Sequence, residues 1–199
     1  MSTIPLGLET DTVVLPSPAI QHLSLDQAFK KRRSTRAFLD ASFTLEALSA
    51  LLWAAFGVNR EQQGGRTAPS AHDWKEMEIY VVLAEGAYRY EPRAHRLLLV
   101  KAEDLRKYTG MQDFVAAAPV NLVYVADLSR MVEVAQEDRT FLAGADAGCI
   151  AQNVYLYCAA AGLATVVRAL IDRRRLAQAL GLLINQRITL AQTVGHARL

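Results

Sequence analysis

Between Pro119 and Asp127 the chain reads Val120–Ala126 (VNLVYVA), apolar at every position except Asn121. A near-continuous apolar run of this length marks a strand buried on both faces in the middle of a sheet. Such a strand needs paired neighbours and a packed layer above and below it, so it commits the chain to a sheet flanked by helices. The neighbours are legible. Met77–Leu83 (MEIYVVL) alternates Met77, Ile79, Val81 and Leu83, and Glu85-Gly86 turns it into Tyr88–Glu91 and then Arg96–Val100. Short β-branched stretches at Ala164–Val167 and Arg187–Val194 supply further strands.

The helices announce themselves by caps and spacing. Ser24 with Gln27 forms a capping-box pair ahead of Leu25, Ala28 and Phe29, predicting a helix that ends near Arg33. Thr44 caps a second, with Leu45, Leu48, Leu52, Ala55 and Phe56 on one face and Gly57 at the C′ position. Helices are also expected from Ala102 to Gly110, around Gln112–Ala118, over Ala143–Ala161 and at Arg173–Leu180, with Asn59–Arg66 a loop. The element order favours an α+β fold. Residues 1–22 hold three prolines and no periodicity, so they should run extended over the surface, leaving 23–199 as one domain.

Charge narrows the partners. Of 22 basic residues 17 are arginine, yet the net charge is only +2, which gives little support to a nucleic-acid binder. No apolar run reaches the ~18–20 residues of a membrane span, and the first residues lack the basic stretch of a secretory signal. A cytoplasmic protein without membrane partners is expected. Cys149 and Cys158 lie nine apart on one expected helix, facing opposite ways, so they cannot pair and read as core thiols.

Three constellations can carry chemistry. Arg32-Arg33-Ser34-Thr35-Arg36 could enclose a phosphate, since arginine offers bidentate charge-assisted bonds; it could equally be a basic helix C-terminus that complements the macrodipole. Gly64–Ala71 (GGRTAPSA) followed by His72-Asp73-Trp74 lets a flat ligand approach backbone, but it is no P-loop, and a hydrogen-bonded loop histidine is an adequate account of His72. Gly144–Asn153 continues through Ala161–Thr165 as a small-residue helix, suited to close backbone packing, to a subunit contact or to a planar cofactor. No Ser-His-Asp order, nucleophile elbow or HExxH is present.

Six segments, in order, resemble the nitroreductase family of FMN oxidoreductases, and within it the SagB-type (azoline dehydrogenase-like) branch. They are RRSTRAF at 32–38, RTAPSA at 66–71 before MEIYVV, AYRYEPRAHRL at 87–97, APVNLVYVADLSR at 118–130, DAGCIAQNVYLYCAAAGLAT at 146–165, and TVGHAR at 193–198. The resemblance implies an α+β homodimer with a mainly antiparallel sheet and FMN sites at the subunit interface. By it, Arg32, Arg33, Ser34 and Arg36 clamp the FMN phosphate and ribityl chain. Pro69, Ser70 and Ala71 line the isoalloxazine, usually from the other subunit. The backbone near Arg168 or Ala169 donates to flavin N5, and Arg198 reaches the phosphate. His72, Asp73 and Trp74 fall on the substrate side.

The implied activity is ping-pong hydride transfer from NADH or NADPH through flavin N5 to a nitroaromatic, quinone or similar small acceptor. No metal and no catalytic side chain are implied, because the cofactor carries the hard step. The alternatives are an azoline-type dehydrogenase whose flavin is reoxidised by oxygen, and a cofactor-binding protein without turnover. Two positions depart from many relatives. His72–Glu76 (HDWKE) replaces a Gly-rich or Leu-Tyr-Pro segment, and Ala169 replaces a glycine, which a positive φ would strain.

Overall fold

The computed structural model describes residues 11–20, 23–39 and 41–198. Its centre is β7 (Val120–Asp127), which pairs antiparallel with β4 (Met77–Val82) on one side and β9 (Gln186–Gly195) on the other. Outward from β4 lie β5 (Ala87–Glu91), β6 (Arg96–Lys101) and β1 (Thr12–Val14), and beyond β9 lies β8 (Ala164–Arg168). Every pairing in this seven-stranded sheet is antiparallel.

Strand alternation sorts side chains into two cores. Ile79, Val81, Leu122 and Tyr124 face the layer made by α2 (Leu45–Phe56) and α3 (Gln136–Ala161), packing with Leu48, Leu52, Ile150 and Val154. Tyr80, Val82, Val123 and Val125 face α4 (Arg173–Leu180) through Leu176 and Leu180, with Ile188 of β9 in the same core. The expectation of a sheet covered on both sides is met, and Val120–Ala126 is buried throughout.

Several local expectations change. Thr12–Val14, expected to lie extended over the surface, joins the sheet as an edge strand against β6; residues 1–10, 21 and 22 lie outside the described residues. Within the expected loop at 59–66, a small ladder forms between β2 (Val58–Arg60) and β3 (Gly65–Arg66). The helices expected at 102–110 and 112–118 shrink to single 3₁₀ turns, Arg106–Tyr108 and Asp113–Val115. Asp104 Oδ1 takes the Arg106 N–H, and Arg168 takes the Thr109 carbonyl, so backbone groups a longer helix would use are already engaged. The first helix, α1, spans Leu25–Lys31 with Ser24 as its cap.

The long helix begins at Gln136, seven residues before the expected start. Its N-cap is Ala135, which offers no side-chain acceptor and hence no cap signal in the sequence. It ends at Gly162 with φ +70°, the left-handed C′ conformation. Gly57 follows α2 for a different reason than expected. Its φ is −68°, but a Cβ there would meet the Trp53 side chain at 2.5 Å. Among the described residues no helix is long and apolar enough to cross a membrane.

Candidate functional site

Arg32 closes α1, its N–H donating to the Ala28 carbonyl, and from there the chain runs extended along the C-terminal half of α3. Two anchors fix it. Thr35 N–H donates to the Thr165 carbonyl at 2.9 Å, and Ser34 Oγ meets Tyr155 Oη at 2.7 Å. Tyr155 Oη also receives the Val167 N–H at 3.0 Å, so one phenol ties the Arg-rich segment to β8. The C-terminal segment joins them: Phe38 bridges Ala197, and Arg198 N–H donates to the Ala37 carbonyl.

These contacts enclose a cleft of about 470 Å³, flanked by Lys31, Arg32 and Arg33 and floored by Tyr155, Ala159 and Gly162. Arg32 lies over the Tyr155 ring, 5.3 Å from its centroid. Among the described residues no carboxylate pairs with Arg32, Arg33 or Arg36, and all three are exposed. Unneutralised guanidinium groups beside a floor of two small residues and a phenol ring fit a phosphate ester with a planar body. Cys158 also lines the cleft, but burial pushes its thiol up, so it offers no thiolate.

The expected loop wall lies elsewhere on the same helix. Pro69 is exposed, Ser70 and Ala71 are half-buried, and Ala71 N–H donates to Asp146 Oδ2 at 2.8 Å. Asp146 and Tyr155 are nine residues apart on α3, roughly 14 Å along its axis. None of residues 69–74 lines the basic cleft. His72 is exposed and stacks on Trp74 with ring centroids 4.4 Å apart; Asp73 pairs with Lys75 at 2.9 Å. His72, Asp73 and Lys75 all adopt positive φ, at +50°, +57° and +52°.

Arg168 is turned inward. Its Nε donates to Thr193 Oγ1 at 3.0 Å, Nη1 to the Thr109 carbonyl at 2.7 Å and Nη2 to Asn121 Oδ1 at 3.0 Å. Burial without a carboxylate lowers its pKa to about 10, which still leaves it charged at neutral pH. This side chain fastens the 109–115 segment to the sheet, and its guanidinium is taken up within the chain. Ala169 is exposed directly after β8, and its φ is not positive, so alanine sits there unstrained.

Cys149 and Cys158 are both free, but Cys149 is exposed, which corrects the expectation of two core thiols. Its face of α3 is a ladder of exposed small residues, Gly144, Ala145, Gly148 and Cys149, continued by Gln152 and headed by Phe141 at 74% exposure. Within the chain, nothing stands within 4 Å of a Cβ built on Gly144 or Gly148.

Three features escape sequence reading. Tyr155 is one, because its partner Ser34 is 121 positions away. Another is a chain in which Tyr90 Oη, His95 Nδ1, His95 Nε2 and Ser49 Oγ link at 2.8 and 2.7 Å. Ser49 donates its proton to the Pro16 carbonyl, and burial lowers the His95 pKa, so this chain ties Pro16 to α2 and supplies no nucleophile. The third is Glu76, fully buried beside Asp146, with Oε2 accepting from Ser70 Oγ at 3.1 Å.

Comparison with known proteins agrees with this geometry. The chain is 35% identical over 167 residues to a nitroreductase-family protein of Methanocaldococcus jannaschii, covering 78% of this chain and 83% of that one. Its fold superposes on the crystal structure of a nitroreductase-family protein of Ralstonia eutropha JMP134 with TM-score 0.92 and 44% identity, over 98% of this chain and 93% of that chain. The NADPH:FMN oxidoreductase of Vibrio harveyi, solved with NAD⁺, shares the fold at TM-score 0.65 and 20% identity, over 88% of this chain and 69% of that chain. The pattern of the nitroreductase family itself matches residues 29–196, from the end of α1 through β9, and on that span the chain belongs to the nitroreductase family.

Proposed function

We propose that the protein is an FMN-dependent NAD(P)H oxidoreductase that works as a homodimer on a nitroaromatic, quinone or similar small acceptor. The observation that carries this reading is the Arg32–Arg33 cleft, whose two arginines lack carboxylate partners among the described residues and whose floor joins Ala159 and Gly162 to the Tyr155 ring. When bound, FMN supplies a centre that accepts a hydride from a nicotinamide and passes electrons to a second substrate. Arg32, Arg33 and Arg36 hold the phosphate, Arg198 reinforces them from the adjoining C-terminal segment, and Ser34 offers a hydroxyl toward the ribityl chain. The backbone N–H at Ala169 orients the ring.

Two observations support the dimer. The 69–71 loop and the cleft sit well apart along α3 in a single chain, which suits a loop that walls the site of a partner subunit. The open Gly144–Gly148 face of α3 gives two backbones room for close approach. The loop then excludes water from one side of the ring, while the stacked His72–Trp74 pair and Asp73 border the substrate. Within the family, the motifs from RRSTRAF to TVGHAR support a reading of the chain as SagB-like, and the His72–Glu76 segment departs from many relatives on the substrate side.

The test is spectroscopic. Purified protein should carry the oxidised-flavin absorption band, and NADH or NADPH should bleach it without oxygen. A retained flavin that neither nucleotide reduces, with heterocycle oxidation under oxygen instead, would replace this reading with the azoline-type dehydrogenase. Protein that binds no FMN would remove both.

A further inference from the structure

Glu76 is fully buried at the foot of the 69–75 loop, and Asp146, on α3, is 6% exposed. Glu76 Oε2 receives the Ser70 hydroxyl, while Oε1 is a buried atom with no donor among the described residues. After burial itself, the Asp146 charge raises the Glu76 pKa, and Asp146 anchors the same loop through the Ala71 N–H. Two carboxylates cannot be buried together with both charged. Among the described residues no ion pair reaches either carboxyl. Lys75 turns to Asp73, Arg130 to Glu78, Asp127 and the Lys75 carbonyl, and Arg139 to the Val134 carbonyl. No third metal-ligating side chain joins the pair among the described residues.

The same two carboxyls hold the loop. Asp146 Oδ2 takes the Ala71 N–H at 2.8 Å, and Ser70 Oγ, donating to Glu76, accepts the Lys75 N–H at 2.9 Å. Between these anchors stand three non-glycine residues at positive φ, a conformation that costs energy and persists only where the surroundings enforce it. We propose that Glu76 and Asp146 are positioning residues that share a single proton and, through it, latch the 69–75 loop in the shape the candidate flavin site requires. Loss of that proton sets the two charges against each other and releases the loop. Desolvation and the Asp146 charge raise the Glu76 pKa to about 7, so the latch opens just above neutral pH. The flavin role of the latch rests on the proposed function; the latch itself does not.

Two readouts separate them. In full-length protein carrying Trp53→Phe and His72→Asn, the single remaining indole N–H, that of Trp74, is followed by nitrogen-15 NMR from about pH 5.5 to 8.5. The second change removes the imidazole ring that stacks on Trp74. The resonance should move with a midpoint near 7. With Glu76→Gln or Asp146→Asn added it should stay at its low-pH position, because an amide N–H replaces the shared proton. With Glu76→Ala it should stay at the high-pH position. A resonance that does not move, or that titrates equally with Glu76→Gln, overturns the proposal.

FMN affinity is then measured for the wild-type chain and for Glu76→Gln, whose ratio cancels the ligand's own ionisation. Wild-type affinity should fall about tenfold relative to the variant between pH 6 and 8.5. A constant ratio alongside a titrating Trp74 refutes the positioning role. Failure of both proteins to bind FMN at every pH refutes the flavin reading, and the Trp74 titration then decides the latch alone.

Discussion

Arg168 is buried with four acceptors around its guanidinium, whereas Arg32 and Arg36 stand in solvent with no carboxylate partner among the described residues. The residue type is the same and the surroundings divide the work. Replacing Arg168 with methionine strands the Thr109 carbonyl and leaves Asn121 Oδ1 with the Thr193 hydroxyl alone, so Arg168→Met should destabilise the fold by roughly 3 kcal/mol in urea unfolding. Arg32→Ala and Arg36→Ala should change stability by less than about 0.5 kcal/mol. Each should instead weaken FMN binding by about 1.5–3 kcal/mol, the range for charged hydrogen bonds, in a fluorescence-quenching titration. Unchanged FMN affinity in both would make the cluster a plain basic helix end. Sequence alone left Arg32 and Arg168 side by side as cofactor candidates, because the acceptors that claim Arg168 lie between 25 and 59 positions away.

Helix α3 serves three surfaces at once. Its inner side packs the core through Ile150 and Val154, Asp146 and Tyr155 anchor the loop and the Arg-rich segment, and Gly144 and Gly148 leave its outer side open. A Cβ at Gly148 meets nothing within 4 Å among the described residues, and an arginine there would block close approach of a second backbone. Gly148→Arg should therefore yield a folded monomer in sedimentation velocity, with FMN affinity at least about tenfold lower, since half of each proposed site comes from the partner. A variant that remains dimeric would move the interface to another face. The composition of α3 announced close packing, and its period announced a helix. Which of its faces stays open depended on where the sheet and α2 lay.

Stability at the scale of the whole molecule should follow the Glu76 proton. Folding raises the Glu76 pKa from its ordinary 4.5 to about 7, so between those values the native state holds a proton that the unfolded chain has lost. Stability should therefore be greatest at the acid end of that window and decline as pH rises toward 7, then level off. Urea midpoints measured at intervals from pH 5 to 8 should show the decline in wild-type protein, and Glu76→Gln should flatten it. A wild-type midpoint that rises across this window would contradict the shared proton.

The sheet, its two covering layers and the helices α2 and α4 were readable from the chain, because alternation, apolar runs and caps are local patterns enforced by backbone geometry. So was the Arg-rich segment as a phosphate candidate. The start of α3 was not readable, since Ala135 carries no capping group, nor were the turns at 106–115, whose backbone is claimed by the distant Arg168. Sequence placed Pro69–Ala71 in the site, but only the fold showed the loop and the basic cleft well apart along one helix. Only the fold, too, brought Glu76 against Asp146, seventy positions later in the chain, and took both out of water. Local patterns record what a segment can become. Burial and the meeting of remote side chains exist only once the sheet has closed over them.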